Sequence, residues 1–150
     1  MTTLKKGDKA PSFTGTDQDG NTHSLTDYSE KKLVVFFYPK ANTPGCTVEA
    51  CDLRDNFDRY KANNYALLGV SADNAKSQSN FKNKFDLPFP LLADETKEIL
   101  KAFGVWGPKK FMGREYDGIH RTTFIINEHG IIEDVILDVK TKNHTAQILK

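Results

Sequence analysis

The sequence predicts an α/β fold, with a central mixed β-sheet flanked by helices and an N-terminal β-hairpin. Three observations lead there. Two runs, Lys32–Tyr38 (KLVVFFY) and Tyr65–Ser71 (YALLGVS), are continuously apolar, β-branched or aromatic, the pattern of strands buried on both faces. Each is followed by a stretch with helical spacing. Near the end, Glu128-His129-Gly130 separates two more strand-like segments, which marks an antiparallel hairpin. At 150 residues, a single domain over 1–150 with a real core is expected.

The elements follow in order. Phe13–Thr16 and Thr22–Leu25 flank Asp17-Gln18-Asp19-Gly20-Asn21, whose Asp-Gly step reads as a hairpin turn. Lys32–Tyr38 is the first buried strand, ended by Pro39. The segment from Pro44 to about Asn63 is helical, and Tyr65–Ser71 is the second buried strand. Residues 75–86 form a helix with Phe81 and Phe85 at i, i+4. A short helix is expected from about Thr96 to Phe103. Trp106, Phe111 and Met112 fall in a Gly- and Lys-rich loop and are expected to pack the rim of the core. Arg121–Asn127 and Ile131–Leu137 form the late hairpin, and a last helix starts at Asn143. A right-handed crossover makes Val34–Tyr38 and Leu67–Ser71 parallel. A thioredoxin-like core fits this order. Ligands in such sheets sit past the carboxyl ends of strands, where Pro39–Cys46 lies.

Composition narrows the function classes. Lys and Arg number 21 against 20 Asp and Glu, a net charge of +1. That gives no reason to invoke nucleic acid or an anionic membrane. No apolar run reaches the roughly 18–20 residues of a membrane span. The opening MTTLKKGDKAPSF lacks the apolar centre of a secretory signal, so a cytoplasmic location is expected. Monomer and weak homodimer both fit. Two cysteines, Cys46 and Cys51, are too few for a disulfide-stapled scaffold. In a reducing compartment a close pair is redox-active or metal-binding before it is a permanent staple.

Both thiols lie in Tyr38–Arg54, YPKANTPGCTVEACDLR, with four residues between them. Thr43 suits the N-cap and Pro44 the first helical position. Gly45 is then the second helical residue and Cys46 the third, where a capping box carries a carboxylate or amide side chain. The unpaired amides and macrodipole of the first turn favour an anion there. A thiol so placed ionises more readily, and the thiolate is the nucleophile. Thr43 adds a hydroxyl able to bond the thiolate or its substrate.

At about 100° per residue, Cys46, Ala50, Leu53, Phe57 and Tyr60 share one stripe, the core face. Cys51 points roughly 140° away, among Thr47, Asp55 and Asp58, with Val48 the apolar exception. In an intact helix, residues i and i+5 have Cα atoms roughly 8.6 Å apart, whereas a disulfide needs roughly 4.4–6.8 Å. The sulfurs can join only if the first turn or two unwinds. A thiolate in a pocket wants a cation. Lys40 is close in sequence but expected in solvent. Arg121, heading a strand of the same sheet, is the stronger candidate, because its charge and donor fork persist at any relevant pH. Pattern alone nonetheless favours a solvated strand-edge arginine.

The motif Pro39-x-x-x-Thr43-x-x-Cys46 resembles the active site of the peroxiredoxins. The run Phe37–Cys51 is similar to the bacterioferritin comigratory protein, or peroxiredoxin Q, subfamily. Phe103–Gly107 and Phe111–Arg121 agree in order and spacing, so the resemblance covers Gly7 to about Asn143. It implies a thiol peroxidase on a thioredoxin fold, with no metal, flavin or haem. Cys46 matches the peroxidatic cysteine. Thr43 and Arg121 match residues that bind peroxide and stabilise the thiolate, helped by the helix-start amides around Gly45. Pro39 matches the proline that shields the pocket, and Glu49 the polar residue that orients the arginine. Cys51 matches the resolving cysteine of part of the subfamily. That implies an intramolecular disulfide, reduced by thioredoxin or a similar dithiol. Trp106, Phe111 and Met112 would, on a functional reading, wall the site and admit organic hydroperoxides. In one departure, Gly15 stands where a larger apolar residue is usual. In another, the tail stops at Lys150, short of many relatives, so its helix is expected to be truncated or frayed.

Other readings compete. Two structural cysteines without chemistry would fit Cys46 on the core stripe, but not Cys51 on its polar flank. Zinc would use the Cys-x4-Cys spacing. Yet His23, His120, His129 and His144 do not pair at helical or turn spacing, and a structural site wants four ligands. These histidines are expected at the surface or in turns. A thioredoxin-type oxidoreductase would carry Cys-x-x-Cys. A redox sensor or holdase would form the same disulfide without rapid turnover, and nothing in the sequence excludes it.

Overall fold

The computed structural model describes residues 2–149. β1 (Thr14–Thr16) and β2 (Thr22–Ser24) form the expected hairpin, with Gly20 at φ 81° in its turn. A 3-10 turn over Leu25–Tyr28 leads to β3 (Lys32–Phe37). Then come α1 (Pro44–Asp55), α2 (Phe57–Ala62), β4 (Tyr65–Ser71), α3 (Ala75–Lys84), β5 (Leu91–Ala93) and α4 (Glu98–Ala102). A second hairpin, β6 (Trp106–Phe111) and β7 (Arg114–Ile119), precedes β8 (Thr122–Ile126), β9 (Ile132–Ile136) and α5 (His144–Ile148).

The central sheet has the order β5-β4-β3-β8-β9. β3 is parallel to β4, with Val35 opposite Leu68, and antiparallel to β8, with Val35 opposite Phe124. Its central place explains its composition. Leu33, Val35 and Phe37 enter one core, with Phe13, Leu100 and Phe103. Val34, Phe36 and Tyr38 enter the other, with Ala50, Leu53 and Phe81. Side chains alternate across a strand, so a strand covered on both faces is apolar throughout. The thioredoxin-like arrangement, a mixed sheet between helical layers, is the predicted one.

The helix expected over 44–63 is in fact two. Asn56 leaves helical geometry at φ −108°, ψ 12°, and its side-chain amide donates to the Asp52 carbonyl at 2.8 Å. Asparagine competes with the main chain in this way. β5 was not visible in the sequence, being three residues long behind Pro88 and Pro90. The expected loop before Arg121 is instead the β6–β7 hairpin. Its two-residue turn puts Met112 at φ 53° and Gly113 at φ 79°, a primed turn without the usual Asn-Gly or Asp-Gly. Phe111 and Met112 at its tip are 65% and 87% exposed, so they do not pack the core rim, whereas half-buried Trp106 does.

The departure at Gly15 has a packing basis. A Cβ there would stand 2.7 Å from Ile99 Cδ1 and 3.3 Å from Leu92 Cδ1, so the space is already filled. α5 is short but docked rather than frayed. The Thr145 amide donates to Asp52 Oδ2 at 2.7 Å, and Ile148 is buried. Lys150, named above for the tail, lies outside the described residues. Among the described residues, no helix is long and apolar enough to cross a membrane.

Candidate active site

The site begins where β3 ends. Past Tyr38, Pro39 and Lys40 lead into a bend with Asn42 at φ 62°. Asp73, just after β4, holds this bend: its Oδ2 accepts from the Ala41 amide at 2.8 Å and from the Ser71 hydroxyl at 2.6 Å. Thr43 is the N-cap, extended at φ −95°, ψ 158°, with Pro44 at the first helical position. The cap acts through its backbone, since the Thr47 amide donates to the Thr43 carbonyl at 2.9 Å. Its hydroxyl turns instead to the Lys40 carbonyl at 2.8 Å. Having given its proton there, the Thr43 oxygen is left as an acceptor.

Cys46 is 2% exposed on the core face of α1, beside Ala50 and Leu53, as its stripe predicted. Arg121, one residue before β8, donates through Nη2 to the Cys46 sulfur at 3.2 Å and through Nη1 to Glu49 Oε1 at 2.5 Å. The arginine is therefore not a solvated strand-edge residue. Gly45 lies beside it: a Cβ on Gly45 would stand 3.4 Å from Nη2. Burial works against the Arg121 charge, but Glu49 and Cys46 outweigh it and raise the guanidinium pKa. Glu49 is wholly buried. Burial pushes its carboxyl up, Arg121 pulls it down and Asp52 pushes it up again, leaving it at about 7.

Cys51 is half-buried on the other flank, and both thiols are free in one continuous helix. Their Cα separation of roughly 8.6 Å exceeds the disulfide range of roughly 4.4–6.8 Å. Pro39, with Lys40, Asp73, Trp106, Lys109 and Ile119, lines a neighbouring cavity of about 300 Å³. Lys40 is exposed, as expected.

Three further residues here had no mark in the sequence. Asp73 shapes the loop from a distant strand end. Lys109 of β6 donates to the Ile119 carbonyl at 2.8 Å; burial and Arg121 lower its pKa, and Cys46 pulls it up. His144 was expected at the surface or in a turn and is instead wholly buried, its Nε2 3.5 Å from Glu49 Oε2. His23 is half-buried too, joining Asp17 at 2.7 Å and the Tyr28 hydroxyl at 2.8 Å to brace the first hairpin. His129 sits in its turn as predicted.

Comparison with known proteins extends these observations. The AhpC/TSA family profile matches residues 6–135. Peroxiredoxin Bcp of Escherichia coli (strain K12) is 50% identical over 149 residues, 99% of this chain and 96% of that protein. Peroxiredoxin Q of Xanthomonas campestris superposes with a TM-score of 0.86 at 32% identity, covering 91% of this chain and 87% of that one. A cysteine-to-serine variant of Xylella fastidiosa PrxQ gives a TM-score of 0.92 at 30% identity, covering 99% and 95%. Sequence and fold agree along almost the whole length, and the chain belongs to the AhpC/TSA family, among its peroxiredoxins of the Bcp and PrxQ type.

Proposed function

We propose that the chain is a thiol-dependent peroxidase that reduces hydrogen peroxide and organic hydroperoxides at Cys46, with Cys51 as the resolving thiol. One observation carries the reading: a single guanidinium, Arg121, reaches both the Cys46 sulfur and the buried Glu49. A cation pinned on its inner side presents a fixed charge to the sulfur and to any oxygen beside it. Preorganised charge of this kind lowers a barrier without reorganisation at the moment of reaction.

The Cys46 thiolate attacks the distal peroxide oxygen in line with the O–O bond. A sulfur–oxygen bond forms as the O–O bond breaks. The electron pair leaves on the proximal oxygen, which takes a proton to become water or alcohol, and Cys46 is left as a sulfenic acid. The Thr43 oxygen accepts from the peroxide hydroxyl, Arg121 and the helix-start amides donate to the oxygens, and Gly45 leaves room in front of Arg121. Pro39 shields the thiol from water. The start of α1 then unwinds, and the Cys51 thiolate attacks the Cys46 sulfur. Hydroxide leaves as water after taking a proton, and a disulfide forms. A dithiol of the thioredoxin type returns both thiols by exchange and is itself oxidised.

The organic substrate class draws support from the Xanthomonas campestris bacterioferritin comigratory protein, 31% identical, whose structure concerns its alkyl peroxide reduction activity. The test is peroxide consumption with thioredoxin as reductant. Cys46→Ser is expected to abolish it. Cys51→Ser is expected to reduce one equivalent per chain and then stall. Mass spectrometry after one equivalent is expected to find Cys46 bonded to Cys51. A disulfide that forms without sustained turnover would favour a redox sensor over an enzyme.

A further inference from the structure

Behind Arg121 the site continues into the core. Glu49 uses one oxygen on Arg121, while its Oε2 is buried with no hydrogen-bond partner among the described residues. His144 faces that oxygen, with Nε2 3.5 Å away and no solvent exposure. The proton on His144 can be located from its neighbours. Gln147 donates through Nε2 to the Asp138 carbonyl at 2.8 Å, and its Oε1 accepts from the Lys140 amide at 3.0 Å. Its orientation is thereby set. The same Oε1 lies 2.7 Å from His144 Nδ1, so Nδ1 carries a proton. In the neutral ring Nε2 is then a bare acceptor, met by the Thr123 hydroxyl at 2.7 Å. An ionised Oε2 and an unprotonated Nε2 face each other with no proton between them. One proton on either atom turns that contact from repulsive to attractive.

We propose that His144 is a positioning residue of the peroxide site: it shares one proton with Glu49, and that proton decides whether Arg121 is held by a carboxylate or by a carboxylic acid. The inference rests on the reading of Cys46 and Arg121 as the peroxide site. With the proton bound, Glu49 is neutral and the Arg121 charge is left to Cys46. Without it, the carboxylate offsets that charge. Burial pushes Glu49 up to about 7 and His144 below its ordinary value, so the proton rests on Glu49 and exchanges near neutrality. The charged and titratable groups around the couple are Cys46 and Asp52 on α1 and Arg121 before β8. Asp52 favours retaining the proton and Arg121 favours its loss. Thr123 of β8 and Gln147 of α5 add only neutral hydrogen bonds.

Two readouts test this. One is the pH profile of the rate constant for hydrogen peroxide consumption. The other is the titration of the Glu49 carboxyl carbon by NMR in Cys46→Ser protein, which needs no turnover. Thr123→Val removes the hydroxyl that occupies Nε2, so both midpoints are expected to rise by about half a pH unit or more. His144→Gln replaces a base with an amide able to donate to Oε2, so both are expected to fall by about one unit. Opposite displacements follow from a shared proton and not from packing. A uniform loss of rate at every pH, with the Glu49 titration unmoved in both variants, overturns the proposal. Opposite NMR displacements, together with no peroxide consumption by the chain that retains Cys46, would overturn the peroxidase reading while leaving the shared proton in place.

Discussion

Glu49, which pins Arg121, stands on α1 between Cys46 and Cys51. Unwinding that brings the two thiols together therefore also draws Glu49 away from Arg121 and out of the core. On the proposed two-thiol cycle, disulfide formation and the loss of the buried ion pair are one movement.

That coupling predicts a pH dependence. Glu49 has a pKa of about 7 when buried against an ordinary 4.5. Its contribution to the folded helix is present in full below about pH 4.5 and is lost as pH rises through about 7. The shift sets an upper bound of about 3 kcal/mol. His144 acts with the opposite sign. Its pKa is lowered by burial, so its contribution is lost as pH falls below the ordinary 6.5. Urea midpoints of Glu49→Gln protein, compared with the parent at about pH 5 and about pH 8, are expected to lose the fall that Glu49 causes. Parallel curves would remove Glu49 from the linkage.

Arg121→Lys is expected to lower kcat/KM for peroxide by about 10²–10³-fold, since one ammonium cannot reach sulfur and carboxylate in the same fork. Arg121→Ala also orphans a buried carboxylate, a change that costs about 3–5 kcal/mol when the charge persists. The loss should shrink as pH falls through neutrality and be largely gone below about pH 6, because Glu49 is protonated there and loses the Arg121 charge that lowers its pKa. Steady-state kinetics and urea unfolding at two pH values check both parts.

The oxidised protein should differ locally. Amide exchange over residues 44–53 is expected to speed up in the Cys46–Cys51 disulfide form, with β4 unchanged, as measured by hydrogen–deuterium exchange. Unaltered protection over 44–53 would mean that the helix does not open.

Gly69→Ala tests the packing under the site. A Cβ there would stand 2.7 Å from Leu91 Cδ2 and 2.8 Å from the rim of the Phe36 ring. Overpacking of a tight core costs about 1–3 kcal/mol. Thermal or urea unfolding should register that loss, with Cys46 chemistry retained at low temperature.

Much of this architecture was legible because its cause is local. β3 and β4 read as buried strands from continuous apolar runs, and Thr43-Pro44 read as a helix start from capping chemistry. The Cys46 stripe followed from the helical period. What escaped depends on partners distant in sequence or on very short elements. β5 is only three residues long, and the β6–β7 turn uses Met-Gly where Asn-Gly is the usual mark. Asn56 broke a periodicity that ran on through Phe57 and Tyr60. Sequence pattern left Arg121 in solvent. Only the packing of β8 against α1 brings it to Cys46, 75 residues away. His144 carried no mark at all, because its burial comes from the docking of α5 on α1.

The far end of α1 is tied to the C-terminal helix and to its own last turn. Asp52 takes the Thr145 amide, Asn56 closes the helix onto Asp52, and just beyond, Tyr60 of α2 donates to the Thr145 hydroxyl at 3.0 Å. These ties act as a firebreak. On the proposed two-thiol cycle, melting that began at Pro44 would meet a clamped turn just past Cys51, and α2 and the sheet would keep their shape. What remained folded would be a template on which the released turns rewind. Helix growth over so few residues takes about 0.1–1 μs. On the proposed cycle, that reset would be far faster than any encounter with a reductant, and the site would be ready for peroxide as soon as the disulfide is cut.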